Sequence, residues 1–324
     1  MKKTFLHTLC ALLVLCLLPL PALALEFTDA NGRNVEVAEN PQRVVALYGS
    51  YGDAWLTAGG ALAGITEDML RGNDPRLGPE VQNVGTHTTP NVEVLLSLEP
   101  DFVLLSADVA GQAELAEVLD DAGIPCALFS TKDYRSYMDM ISVFTRLTGR
   151  EDLYAEQVET VQAPIEEMIG EAQADARYGV RTALLLRAFS SGVKAKGSGD
   201  TVAGVVLRDM GFVNIADGDS ALSENLSLEA ILMADPDYVF VVTMGTSSEA
   251  AMDAMAELLT GNPAWAGLRA VQEDRYVVLD SKLFHYHPNR RWAESYAVIR
   301  NLIAAEGAAQ GSAAARSYSS RCSR

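Results

Sequence analysis

The feature that most constrains this chain is an alternation, met twice, of short unbroken apolar runs with helical stretches. Arg43-Val44-Val45-Ala46-Leu47 is rich in β-branched residues; glycines and polar residues follow, and 53–58 is expected to be helical. Asp101-Phe102-Val103-Leu104-Leu105 is a second run, followed by an expected helix over 112–122 that Gly123 stops, and 124–129 is a third. The second half repeats the scheme with strands over 182–186, 238–242 and 276–279 and helices over 202–210 and 248–259. A strand that is apolar on both faces must be covered on both faces. Such runs, separated by helices, predict parallel sheets flanked by helices.

The halves also echo each other. Glu93-Val94-Leu95-Leu96 leads through Pro100-Asp101 into Phe102-Val103-Leu104-Leu105, and Glu229-Ala230-Ile231-Leu232 leads through Pro236-Asp237 into Tyr238-Val239-Phe240-Val241. In each, a glutamate opens a short helix and Pro-Asp marks the entry to a strand, which predicts two similar lobes. Between them, 150–178 is rich in Glu, Ala and Gln, with Leu153, Val158, Val161, Ile165 and Ile169 at helical intervals. A helix of that length reaches on the order of 43 Å, and Pro164 is expected to kink or divide it.

The first residues stand apart. Lys2 and Lys3 precede an apolar stretch over 5–20, and Ala22-Leu23-Ala24 supplies the small-x-small pattern of a signal peptidase site. Cleavage after Ala24 leaves a chain starting at Leu25 and places it outside the cytoplasm. Cys10 and Cys16 lie in the leader, and Cys16 follows Leu13-Val14-Leu15, which is no lipoprotein signal. Of the other two cysteines, Cys126 reads as a small buried hydrophobe and Cys322 sits in a Ser/Arg tail, so neither a disulfide framework nor a thiolate zinc site is expected. A freely soluble periplasmic protein is the expectation. The expected layout is a leader over 1–24, a first lobe over 25–149, a connector over 150–178, a second lobe over 179–305 and a disordered tail over 306–324. With 43 acidic residues against 25 basic ones and a net charge of −18, the chain repels polyanions, so nucleic acid is not an expected partner.

In open α/β domains ligands sit beyond the carboxyl ends of strands. The loops expected there are 48–52, 85–90, 187–191 and 282–292. They carry Tyr48, Tyr51, His87, Arg187, His285, Tyr286, His287, Arg290, Arg291 and Trp292. The three histidines outside the leader all fall in these loops, two of them in His285-Tyr286-His287.

Pro41-Gln42-Arg43-Val44-Val45, Asn91-Val92-Glu93 through Leu105, Gly123-Ile124-Pro125, the long connector, and Asn262-Pro263-Ala264-Trp265 through Val278 together resemble one family. That family is the periplasmic binding proteins for ferric siderophores, haem and cobalamin that serve ABC importers, and the resemblance spans about residues 26–305. It implies two Rossmann-like α/β lobes joined by one long helix, with the ligand in the cleft between lobes. It implies a monomeric binding protein, not an enzyme, with no intrinsic cofactor, whose partners are an ABC permease dimer and its ATPase subunits. Glu93 and Glu229 match the family's permease-docking glutamates by position, and a carboxylate accepts paired hydrogen bonds from arginine. Imidazole and phenolate suit ferric or haem iron, which makes His87, His285 and Tyr286 candidate metal contacts. Arg187, Arg290 and Arg291 suit anionic groups of a chelate, and Tyr48, Tyr51 and Trp292 its flat surfaces.

Two other readings stay open on the residues. A receptor for a bare metal ion or an oxyanion would use the three histidines or the arginines directly. An exported serine hydrolase would use Ser50, although the chain has neither a Gly-x-Ser-x-Gly elbow nor a His-Glu-x-x-His helix.

Overall fold

The computed structural model describes residues 24–305 apart from 73, 175–180 and 246. The expected leader up to residue 23, the expected tail and the last residues of the expected connector lie outside the described residues. Two compact units emerge: the residues up to Phe129 with Val143–Glu151, and Ser130–Ser142 with the residues from Asp152 on.

In the first unit, β1 (Ala24–Thr28) and β2 (Asn34–Ala38) form an antiparallel hairpin of their own. The main sheet holds β3 (Val44–Ala46), β4 (Leu62–Ile65), β5 (Gln82–Asn83), β6 (Phe102–Ser106) and β7 (Cys126–Phe129). Its order is β5-β4-β3-β6-β7 and every pair is parallel. The chain lays down β3, moves outward to β4 and β5, then crosses back to β6 and β7. The loops leaving β3 and β6 therefore part from each other and open a crevice beyond those strand ends. β3, β6 and β7 are buried along their whole length, as strands covered on both faces must be. One face packs Val45, Val103, Leu105 and Leu128 against Leu115 and Leu119 of the helix Gln112–Asp121. On the other, the Phe144 ring lies 5.3 Å from Trp55 and 5.0 Å from Phe129, centroid to centroid.

The hairpin is fastened to this sheet by charge. Asp29 accepts from Leu128 N at 3.2 Å and from Arg33 Nε at 2.8 Å, and Arg33 donates on to the Cys126 carbonyl at 2.8 Å. Cys126 is a buried free thiol, as its apolar run predicts, and burial pushes its pKa up to about 11.

In the second unit, β8 (Arg181–Phe189), β9 (Gly192–Ala195), β10 (Phe212–Asn214), β11 (Tyr238–Thr243) and β12 (Tyr276–Leu279) form one sheet. Its parallel part runs β10-β8-β11-β12, and β9 adds to β8 antiparallel. Here the chain reverses between β8 and β11. Along β11 the side chains alternate: Val239 and Val241 join a cluster with Leu184, Leu186, Met255 and Trp265, while Tyr238 and Phe240 stack at 5.5 Å on the other side.

The echo between the halves extends to geometry. Asn91 and Ser227 cap the helices Val92–Ser97 and Leu228–Ala234, accepting from Val94 N and Ala230 N. Leu95 and Ile231 are the buried residue of each helix. Glu99 and Asp235 then turn left-handed, at φ 46° and 39°. Arginine side chains bind both of their carbonyls, Arg43 at 2.6 Å and Arg269 at 2.9 Å. Asp101 next accepts from Arg43 N and Asp237 from Thr182 N, so each fastens the strand it opens to the start of its neighbour.

Three elements differ from expectation. The connector runs helical from Glu151 to Ala174, and Pro164 does not divide it. A π-helical turn, Val158–Gln162, precedes the proline; such a turn relaxes the regular bond pattern that a residue without an N–H cannot complete. Residues 49–52, expected in a loop, open the helix Gly49–Thr57 because tertiary fit outweighs the poor helix propensity of glycine. A Cβ on Gly49 would stand 2.3 Å from Asp68 Oδ2, and one on Gly52 2.4 Å from Ile65 Cδ1. Arg187, Ala188 and Phe189, also expected in a loop, are the last residues of β8, which turns back as β9.

Candidate ligand-binding site

At the switch point of the first unit, Tyr48 follows β3 and is the N-cap of Gly49–Thr57. Its half-buried ring meets Tyr51 edge-on at 5.0 Å and His87 edge-on at 5.8 Å. Tyr51 points inward, is 0% exposed, and donates to the Phe129 carbonyl at 2.9 Å. His87 sits in a loop closed by a bridge between Gly85 and Pro90. Gly85 lies at φ 91°, and a Cβ there would meet the Thr89 carbonyl at 2.9 Å. The organiser of this corner is Gln112, which is 1% exposed. Its amide donates to the carbonyls of Leu47 (3.0 Å) and His87 (2.8 Å) and accepts from Ser106 N at 2.7 Å. One side chain thus holds the ends of β3 and β6 and the histidine loop together.

At the switch point of the second unit, Arg187 lies opposite Val242 of β11. It lines a small pocket with Lys196, Thr201, Val242 and Phe284. Thr201 caps the helix Val202–Asp209, accepting from Gly204 N at 3.0 Å. Among the described residues no carboxylate pairs with the half-buried Arg187 guanidinium. Burial pulls its pKa down, and Asp200 opposes this only at longer range. Beside it, His285 is held down to a pKa of about 4, first by burial and then by the positive charge of Arg187 and His287. His285 Nδ1 is buried without a hydrogen-bond partner among the described residues.

The remaining candidates follow along the chain. Tyr286 is 52% exposed, its ring 4.8 Å from that of His285. His287 Nδ1 shares a 2.9 Å hydrogen bond with Thr131 Oγ1. Arg290 is exposed, whereas Arg291 is bound to Glu294 through two bonds of 2.9 and 2.8 Å. Trp292, at 0% exposure, is packed inside the unit at the start of the helix 292–305. The structure therefore groups Tyr48, Tyr51 and His87 in one unit and Arg187, His285 and His287 in the other, and presents Tyr48 and Tyr286 to solvent where Tyr51 and Trp292 are enclosed. Burial corrects the reading of Tyr51 and Trp292 as rings free to stack on a chelate. Among the described residues, no group of three His, Cys, Asp or Glu side chains is placed to hold a metal ion.

Gln112 and Lys196 escaped the sequence reading. Gln112 looks like any polar residue at the start of a helix. Lys196, two residues after Lys194 in an acidic chain, carries a faint signal, but only the turn of β9 brings it back to Arg187.

Residues 44–283 match the model of the periplasmic binding protein family. The chain belongs to that family. As a member, this binding protein is the extracytoplasmic solute-binding component of an ABC importer; it works with permease and ATPase subunits and is not itself an enzyme. It is 27% identical over 256 residues to the Fe(3+)-citrate-binding protein YfmC of Bacillus subtilis, covering 78% of this chain and 77% of that one. Its fold is similar to that of the catecholate-siderophore binding protein VctP of Vibrio cholerae, with a TM-score of 0.66 at 14% identity over 87% of this chain and 100% of the other. It is also similar to the vitamin B12 binding protein BtuF of Vibrio cholerae, with a TM-score of 0.64 at 19% identity over 82% and 97%. Proteins named for different cargo share this fold, so the choice of cargo must come from the side chains at the strand ends.

Proposed function

We infer that this binding protein carries an anionic ferric chelate and that Arg187 is its principal anchor. The observation behind this reading is the half-buried guanidinium without a carboxylate partner among the described residues. A cation partly removed from water and left unpaired is a cost to the empty protein, and a ligand carboxylate removes that cost while gaining charge-assisted hydrogen bonds. Lys196 in the same pocket adds a second positive group. Ferric citrate has the required chemistry, and the name of the relative YfmC points the same way. Haem, with its propionates, is the next candidate; a corrinoid with an amide periphery gains least from Arg187.

In the first unit Tyr48 and His87 offer an aromatic edge and an imidazole to the cargo, with Tyr51 packed behind them. In the second, His285 stands beside Arg187, and Tyr286, His287 and Arg290 follow it along the chain and supply further contacts, while Trp292 supports them from within. A bare metal cation is the weaker reading, since Arg187 would repel it and the neutral His285 stands in that field. Glu93 and Glu229 dock the loaded protein on the permease. Cleavage after Ala24 leaves a soluble periplasmic protein without a lipid anchor.

A titration of the purified chain by fluorescence quenching against ferric citrate, a siderophore panel, haemin and cyanocobalamin tests the cargo assignment. Saturable binding of carboxylate-bearing ferric chelates is expected. Selective binding of cyanocobalamin would overturn it.

A further inference from the structure

We propose that Met233 and Leu96 are the apolar anchors by which this chain seats on its permease, beside the carboxylates of Glu229 and Glu93; the proposal rests on the docking reading above. Each unit supplies its own half of the observation. Met233 is 81% exposed, the most of the exposed large apolar side chains among the described residues, and stands four residues after Glu229 on the helix Leu228–Ala234. Leu96 is 42% exposed and stands three residues after Glu93 on the helix Val92–Ser97. Residues three and four apart share a helix face, so in both units a carboxylate and a large apolar group point into water side by side. Ile231 and Leu95 carry the opposite faces into the cores.

A lone exposed apolar residue calls for no explanation. These two differ because each of two helices that share a cap, a buried residue, a left-handed stop and a following Pro-Asp carries an exposed large apolar side chain on the face of its glutamate, Met233 standing one position beyond the residue that matches Leu96. Glu93 and Glu229 are exposed, and neither forms an ion pair among the described residues. On a chain of net charge −18, such a face calls for a cationic partner surface. An exposed ion pair contributes little while water reaches it, and a ring of apolar contact that excludes water makes it effective. The fitting occupant is a permease surface that offers a guanidinium or ammonium group next to an apolar hollow.

The test uses spheroplasts of the producing cell, washed free of their own binding protein and given purified chain loaded with radioactive iron as ferric citrate, or as whichever chelate the titration above selects. The readout is the concentration of loaded chain that gives half-maximal uptake. Met233→Ser and Leu96→Ser are each expected to raise it about tenfold, with cargo affinity, maximal rate and melting temperature unchanged. Curves that superimpose on the wild type while Glu93→Gln/Glu229→Gln shifts would overturn the anchors and leave the docking reading standing. If the Glu93→Gln/Glu229→Gln curve also superimposes, the docking reading falls with them. Loss of a dimer in sedimentation, with uptake unaffected, would instead assign Met233 to contact between copies and end the proposal.

Discussion

Arg187, the proposed anchor, illustrates what a half-buried cation costs the protein that carries it. Its guanidinium is half-buried and without a carboxylate partner among the described residues, so Arg187→Met, which keeps the apolar stem and removes the charge, should leave the melting temperature of the empty protein unchanged or raise it by a few degrees, roughly 0–1 kcal/mol. A fall of more than about 2 kcal/mol in a denaturation series would show that the charge is structural. His285 makes the second prediction at this scale. Its folded pKa of about 4 lies below the ordinary 6.5, so between those values the unfolded chain binds a proton that the folded chain refuses. The group has no effect on stability above that window and lowers it as pH falls through it, by on the order of 2 kcal/mol at the acid end once solvent screening of the partly exposed ring is allowed for. His285→Gln should therefore show a smaller drop in melting temperature between neutral pH and pH about 4.5; identical pH profiles would contradict the assignment.

Among the elements, the loops gathered by Gln112 are the most exposed to a single change. Gln112→Leu strands the Ser106 N–H and leaves the Leu47 and His87 carbonyls with one partner fewer, at about 2–4 kcal/mol, and frees the loop that carries His87. Urea denaturation should report the first effect and weakened cargo binding the second, whereas an unchanged midpoint would mean that water replaces the amide. Ser227→Ala removes the acceptor for Ala230 N and should lower stability by about 1 kcal/mol, read the same way. The strands were legible in the sequence because fully buried parallel strands write themselves as unbroken apolar runs: the expected strand 238–242 falls within Tyr238–Thr243, which is buried along its whole length. The helix at Gly49 was not, because its glycines are there for the close approach of Asp68 and Ile65, a constraint invisible in one dimension. Arg187 was legible as a candidate because it follows the apolar run 182–186, but the absence of a carboxylate partner among the described residues, the buried Gln112 and the approach of Lys196 depend on how strands are ordered in the sheet. The reading of Tyr51 and Trp292 as open stacking surfaces shows the same limit: an aromatic next to a loop can face either way, and only packing decides.

For the whole molecule, membership of the family fixes the task of delivery, and each unit presents on a short helix an exposed glutamate that forms no ion pair among the described residues. Replacing Glu93 and Glu229 together by alanine should abolish uptake by intact cells while cargo affinity stays within about twofold, since neither residue lies at a strand end; unchanged transport would remove the docking role. The central claim is that charge at Arg187 selects the cargo. Calorimetric titration of wild type and Arg187→Met with ferric citrate under identical buffer and salt measures it most directly. A one-to-one complex that weakens about a hundredfold in the variant, with the fold intact by circular dichroism, is the predicted result. Equal affinity of the two proteins for the chelate would contradict it.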